Sequence, residues 1–350
     1  MKKTEKPGTL HWLARKAGVS IATISRTLRR PDSVAPQTRQ RILALVERHR
    51  FVPDGRASTF SSNRSGVIGL IVPTISNSIY AEFTEAIQNR LQAAGLNLLI
   101  ANANYSAELE REIIRKLIES RVEGVILTGY DRDPGLYQLL RRYKIPFVVT
   151  WSISPKPSIP AISFDNYAAA TEATELLVKL GHRRIALICG VTAINDRAAQ
   201  RLAAYRDVLR RYKISFDRAL VAEHPFEIEI SADATTRLMS LQKPPTAIFC
   251  ANDIQALGAL FTCQRLQFRV PDDVSIIGFD DLPITRVVIP PLSTVHIPAA
   301  QMGNAAADAL IDAARKGIPV KSRKIDTEII MRGSTGAPPA RVRIRSSSPS

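Results

Sequence analysis

From residue 9 to residue 50, apolar positions recur at spacings of three and four. Leu10, Leu13, Ala14 and Ala17 make one stripe, the pattern of a helix with a single buried face. Gly18 follows where a sharp turn needs backbone freedom, and Ser20 stands where a hydroxyl would cap the next helix. In that second helix Val19, Ile24 and Leu28 face inward, leaving Ile21, Ala22, Ser25 and Arg26 for another partner. A third run starts at Pro36, suited to a first helical turn; Ile42, Leu43, Leu45 and Val46 form its inner face, and Ala35 before it is a poor cap. Three short helices, the second exposing small and basic side chains, describe a helix-turn-helix DNA reader or a plain three-helix bundle packed on another domain.

The period changes at Gly66. Apolar runs at 67–72, 96–101, 122–128 and 145–150 alternate with amphipathic stretches at 80–94, 107–120 and 134–142. After the proline-punctuated stretch 155–160 the series restarts, with strands near 162 and at 184–189, 219–222, 246–251 and 274–279. Helices at 166–180, 197–212, 230–242 and 253–266 separate them, and a helix at 299–316 and a strand at 324–331 close the series. Apolar strands between amphipathic helices predict parallel sheet covered on both faces, here as two doubly wound α/β halves. A ligand would sit at strand C-terminal ends, facing the cleft between them.

Between the two patterns lies 51–65. Its Ser/Asn/Gly run reads as a linker, preceded by one short helix capped by Asp54, with Ala57 and Phe60 on neighbouring faces. Gly55 weakens that helix by up to ~1 kcal/mol, so the segment reads equally as a switch that folds on binding or as a tether. The stretch 334–350, rich in Pro, Ser and Arg, is expected to be a disordered basic tail.

Charge sharpens this picture. The 350 residues carry a net charge of +16. Residues 1–65 hold fourteen Lys and Arg against four Asp and Glu, and the tail adds Arg341, Arg343 and Arg345. Basic character is thus localised, as in a polyanion-binding module joined to a nearly neutral body. Residues 1–50 lack the broad apolar face of an interfacial helix, no apolar run approaches the ~20 residues of a membrane span, and the N-terminus lacks a signal-peptide apolar region. Cys189, Cys250 and Cys263 lie in or beside apolar runs and are expected to be reduced core residues of a cytoplasmic protein. There is no GxSxG elbow, phosphate loop or dinucleotide glycine fingerprint, and His224 and Glu227 are too sparse for a metal site. No enzyme activity, cofactor or metal is expected. A periplasmic solute-binding protein would share the body but would need export, and the basic head would have no place there.

Several strings, in order, resemble the lactose/galactose repressor (LacI) family: Ala17-Gly18-Val19-Ser20 with Thr23-Ile24-Ser25-Arg26, Thr38-Arg39-Gln40-Arg41-Ile42, and 66–73. Leu180-Gly181-His182-Arg183-Arg184, Ala251-Asn252-Asp253, 274–281 and Pro290-Pro291-Leu292-Ser293-Thr294 continue the match to about Gly333. The resemblance implies an N-terminal all-α helix-turn-helix domain (1–50), a hinge (51–65) and a periplasmic-binding-protein-like core of two doubly wound parallel-sheet subdomains. These would be 66–161 with 293–323, and 162–292 with 324–333. It implies a homodimeric repressor of a pseudo-palindromic operator on double-stranded DNA, controlled by a small sugar or sugar acid. The alternative of an activator or global regulator stays open, because the sign of regulation depends on where the operator lies.

Residue by residue, the resemblance places Ile21, Ala22 and Arg26 at base-contacting positions. Arg26 could pair with a guanine and Ala22 or Ile21 could rest on a thymine methyl, while Ser20, Thr23 and Ser25 fit phosphate contacts. Phe60, beside Ala57, stands where family members wedge a hinge leucine into the minor groove; this departure, like Gly55 and Trp12 (where many members carry Asp), has no parallel in the pattern. The effector positions fall on Asn77, Arg201, Asn252 and Asp280, with Asp165, Tyr80 and Phe279 as further candidates. Asp165 and Asp280 could instead cap the elements that follow, and Tyr80 and Phe279 could simply fill core. His182 and His296 are expected to be structural. The Arg29-Arg30-Pro31 turn, 164–167 and Cys263-Gln264-Arg265-Leu266 most resemble gluconate-type members, which implies a sugar acid.

Overall fold

The computed structural model describes residues 9–29, 31–51 and 65–340, and the chain divides into two units between Ser65 and Gly66. The first contains α1 (Leu10–Ala17), α2 (Ile21–Arg29) and α3 (Pro36–Arg48). Thr9 Oγ1 accepts from the Trp12 N–H at 3.1 Å and Ser20 Oγ from the Thr23 N–H at 3.1 Å, each satisfying a donor that a helix start leaves open. Gly18 ends α1 at φ 62°, a left-handed conformation that a Cβ disfavours. Ala35 opens α3 with no side-chain cap.

Leu13, Ala14, Ala17, Ile24, Ile42 and Phe51 form the first unit's core, with Val19, Leu28, Leu45 and Val46 packed against it. Two positions differ from expectation. Leu43 is exposed, because Leu45 and Val46 stand three and four residues after Ile42 and share its face, whereas the adjacent position points about a quarter-turn away. Ile21 is half-buried and packs against this core rather than standing free. The hinge helix expected around Asp54, Gly55, Ala57 and Phe60 lies outside the described residues.

The second unit begins with β1 (Val67–Val72), α4 (Ile79–Ala93), β2 (Asn97–Asn102), α5 (Ala107–Glu119), β3 (Gly124–Thr128), α6 (Pro134–Arg142), β4 (Phe147–Thr150) and β5 (Ile162–Ser163). There follow α7 (Asn166–Lys179), β6 (Ile185–Cys189), α8 (Asp196–Arg211), β7 (Val221–Glu223), α9 (Ile228–Met239), β8 (Ala247–Cys250) and α10 (Asp253–Arg265). The last elements are β9 (Ser275–Asp280), β10 (Ser293–His296), α11 (Ala299–Lys316), β11 (Arg323–Lys324) and β12 (Glu328–Ile330). In the first lobe the strands run β2-β1-β3-β4, all parallel. A parallel bridge from Val149 to Ala161 leads on to β5, which pairs with β11. The second lobe's sheet runs β12-β10-β9-β8-β6-β7, with only β12 antiparallel. Strands β6, β8 and β9 are buried along their whole length, as covered parallel strands must be.

Strand pairing corrects the expected subdomain limits. β5 belongs with the first lobe, so the second does not open at 162. β10 pairs with β9 in the second lobe, so 293–296 does not belong to the first. The chain therefore crosses between lobes after β5, after β10 and between β11 and β12. Ser293-Thr294-Val295-His296 is too polar to read as a core strand, but its hydroxyls are matched inside: Thr294 Oγ1 donates to Asp253 Oδ1 at 2.7 Å, and Ser293 Oγ lies 2.9 Å from Thr335 Oγ1. The tail also starts later than expected. Ser334 Oγ donates to Ile276 O at 2.6 Å and Gly336 N–H to Ser275 Oγ at 3.0 Å, docking 334–336 on the second lobe; residues 341–350 lie outside the described ones. His182 belongs to the same internal network, with Nδ1 2.9 Å from Thr246 Oγ1.

Candidate functional site

On the first unit, α2 exposes Ala22 and Arg26 one turn apart, with Ser20 exposed just before it and Thr23 and Ser25 half-buried beside them. Arg15, Lys16, Arg41, Arg48 and Arg50 are exposed on the same unit, which concentrates positive charge around a helix of small side chains. Trp12 acquires a role that its sequence position did not reveal. Its ring meets His49 edge-to-face at 4.9 Å and carries Lys16 6.0 Å from its centroid, tying α1 to the end of α3.

In the second unit, the loops at the C-terminal ends of both sheets enclose a chamber of about 30 Å³, room for about one water molecule. Asn77, Tyr80, Arg201, Asn252 and Asp280, all named from the sequence, line it. They arrive from four elements. Asn77 Oδ1 accepts from the Ile79 N–H ahead of α4, Asn252 caps α10, Arg201 lies on α8, and Asp280 ends β9. Asn252 Nδ2 donates to Asp280 Oδ2 at 2.6 Å, Arg201 Nε donates to Asn166 Oδ1 at 3.0 Å, and Arg201 Nη1 also reaches Ala251 O.

Two sequence candidates fall outside this chamber. Asp165 caps α7, accepting from the Ala168 N–H at 3.0 Å, and lies 3.9 Å from Lys324; the capping alternative holds. Phe279 is fully buried, with the Arg201 guanidinium 3.6 Å from its ring centroid, so it supports Arg201 from beneath. Conversely, Tyr105, Trp151, Arg197 and Phe226 line the chamber without having been singled out. Arg197 had a legible signal, standing one helical turn before Arg201 on the same face. Tyr105 and Phe226 sit in loops after β2 and β7, where no periodicity marks them; their rings meet at 6.4 Å.

Backbone strain concentrates here. Asp280 and Asp281 adopt φ 129° and 61°, and Trp151 φ 65°, conformations that persist only when the surroundings hold them. Asp281 is held by Arg332 at 2.5 Å, Arg286 at 3.1 Å and His296 at 3.1 Å; burial pushes its carboxyl up, but the two guanidiniums outweigh that and keep it below the ordinary range. His296 is thus a brace, as expected. Burial raises the Asp280 carboxyl well above its ordinary value despite Arg201, with Asp253 adding to the rise. Burial likewise lowers Arg201 to about 10, against the pull of Asp280.

Outside this chamber a cleft of about 560 Å³ continues between the lobes, with Tyr105 and Arg197 on the boundary and Glu110, Arg132 and Asp196 in its walls. Glu110 and Arg132 pair at 2.9 Å. Among the described residues, no three His, Cys, Asp or Glu gather as a metal ion would require, and no helix is long and apolar enough to cross a membrane. The three cysteines are buried and free.

Residues 9–54 match the family described as bacterial regulatory proteins, lacI family, and residues 174–335 match a periplasmic binding protein-like domain. The HTH-type transcriptional repressor CytR of Escherichia coli (strain K12) is 34% identical over 340 residues, covering 97% of this chain and 99% of that one. The HTH-type transcriptional repressor PurR of Vibrio atlanticus is 30% identical over 309 residues, covering 87% and 91%. The lac repressor dimer bound to operator and the anti-inducer ONPF superposes with a TM-score of 0.83 at 25% identity, over 95% of this chain and all of that one.

Proposed function

The chain belongs to the LacI family of bacterial regulatory proteins, and from that premise we propose how its two units share the work of a DNA-binding transcriptional repressor. α2 enters the major groove, where Arg26 pairs with a guanine and Ala22 contacts a thymine methyl, while Ser20, Thr23 and Ser25 fix register on phosphates. Ile21 contributes only its exposed edge. Ala57 and Phe60 of the 51–65 hinge reach the minor groove at the operator centre. Two copies assemble, so that the operator is pseudo-palindromic; exposed Leu99 and Ile100 on β2, and Val287 and Ile289 in the second lobe, are apolar surface suited to that contact. The protein works in the cytoplasm, with the DNA.

The second unit senses a small carbohydrate or sugar acid. Convergence of Asn77, Arg201, Asn252 and Asp280 from both lobes on one chamber carries this reading. Amides and a carboxylate grip hydroxyls directionally, Arg201 takes a ring oxygen or a carboxylate, and Tyr80 offers a ring face. The chamber is too small for a sugar as it stands, so the effector enters as the lobes part, and the new lobe angle loosens the grip on DNA. The test is a thermal-shift screen over sugars and sugar acids, joined to anisotropy on a duplex selected by the protein itself. A compound that raises the melting temperature should release the duplex, and Asp280→Ala should keep duplex affinity while losing that release. Release surviving in Asp280→Ala would contradict the cleft assignment.

A further inference from the structure

Trp151 combines three observations that the carbohydrate reading leaves unused. Its side chain is 2% exposed and lines the chamber. Its indole Nε1–H is buried without an acceptor among the described residues, although a buried Trp N–H ordinarily finds one. Its backbone sits at φ 65°, a left-handed conformation that a bulky residue rarely adopts unless neighbours enforce it.

The neighbours do enforce it. Trp151 follows β4 directly, and its carbonyl accepts from Asn166 Nδ2 at 2.8 Å. Asn166 in turn accepts from Arg201 Nε at 3.0 Å, so the backbone at 151 is tied across the lobe crossover to the guanidinium of the second lobe. Tyr80 at 4.9 Å, Phe83 at 5.3 Å and Phe164 at 6.2 Å hold the indole ring edge-on. A strained backbone and three aromatic contacts thus fix a donor that nothing among the described residues uses. Such pre-organisation is what a polar group reserved for a ligand needs.

We propose that Trp151 is a specificity-determining contact: its Nε1–H donates to an oxygen acceptor on the effector, at a position fixed relative to Arg201 through Asn166. This rests on the reading of the chamber as the effector site, and it deepens that reading. The effector must carry an acceptor on the edge that faces the first lobe while Arg201 and Asp280 hold its opposite side. A ligand bearing an apolar group there would strand the indole donor and bind weakly.

The experiment uses the full chain and five probes at high millimolar concentration: D-glucose, D-galactose, D-ribose, D-gluconate and uridine, the last adding a flat ring for Tyr105 and Phe226. The chain has two tryptophans, so 15N-indole spectra give two N–H signals, which Trp12→Phe assigns. Expected is a downfield move of the Trp151 signal with any probe that raises the melting temperature, and about tenfold weaker binding of that probe by Trp151→Phe. Replacing Trp151 with benzothienylalanine keeps the bicyclic ring, removes only the N–H, and should weaken the probe to the same extent. A probe that stabilises the wild type while the indole signal stays still, and that binds the benzothienyl protein equally well, overturns the inference but leaves the effector site standing. Equal stabilisation of wild type, Trp151→Phe and Asp280→Ala overturns both. Binding of none of the five overturns the carbohydrate reading and this inference with it.

Discussion

Asp196, at the start of α8 in the second lobe, accepts the backbone N–H of Tyr130, in the first lobe, at 2.7 Å. Its other oxygen meets Arg197 Nη1 at 2.7 Å. The loop can approach this closely because residue 129 is glycine: a Cβ there would run into the Arg197 guanidinium and the Asp196 carboxylate. One carboxylate thus closes the lobes at the boundary between chamber and outer cleft. Asp196→Ala leaves a half-buried N–H and a buried guanidinium without that partner, which should cost about 3 kcal/mol. Urea denaturation should show that loss, and X-ray scattering a more open second unit. Unchanged stability and dimensions would mean the bond contributes nothing to closure.

Arg26 is exposed at the middle of α2, one turn beyond Ala22. If it reads a base, Arg26→Ala should lose preference for the selected duplex by about 1–3 kcal/mol per contact while general affinity and its salt dependence survive. Titrations against selected and scrambled duplexes at several salt concentrations separate the two. Equal loss on every duplex would assign Arg26 to the phosphates instead.

Where periodicity and burial coincide, the chain was legible. The three helices of the first unit and the alternation from Val67 onward follow from apolar spacing alone, and the first unit's core holds the residues anticipated for it, Leu43 excepted. Legibility failed where polar groups satisfy one another inside. Ser293 and Thr294 hide a buried strand, and Ser334 and Thr335 hide a docked segment. In the cleft, residues with strong chemical character at element ends, such as Asn252 and Asp280, could be named. Asp165 could not be placed, because a carboxylate ahead of a helix suits a cap as well as a ligand. Trp151, Tyr105 and Phe226 escaped because loop aromatics carry no period, and their meeting depends on two lobes folding toward each other.

Val287 is 73% and Ile289 81% exposed, in the same segment as half-exposed Ile284 on the second lobe. Large apolar side chains grouped at such exposure mark a contact surface. The double variant Val287→Glu with Ile289→Glu should halve the mass measured by light scattering at micromolar concentration. Affinity for the full palindrome should fall toward that for a half-site, since two recognition helices would no longer be held one helical turn apart. A variant that remains dimeric would move the interface elsewhere, with β2 and its exposed Leu99 the next place to test.

Asp253 is buried at the start of α10, where it accepts from Thr294 Oγ1 at 2.7 Å and from the Leu282 N–H at 2.8 Å. Burial pushes its carboxyl up to about 6 from an ordinary 3.8, overriding those bonds. The folded chain therefore holds this proton more tightly than the unfolded chain does. The resulting stabilisation is complete below pH 3.8 and is lost as pH rises through about 6. Asp280, raised partly by the Asp253 charge, acts in the same direction. Buried His182 and His224, both lowered by desolvation, act oppositely but are common to wild type and variant, so they cancel in a comparison. Asp253→Asn keeps the shape and an acceptor for Thr294 and has no proton to lose. Its stability relative to wild type should rise between about pH 4 and 6 and level off above that, as measured by urea denaturation from about pH 4 to 7. A difference that stays flat across that range would show that Asp253 is already ionised at pH 4, with its two hydrogen bonds winning over burial.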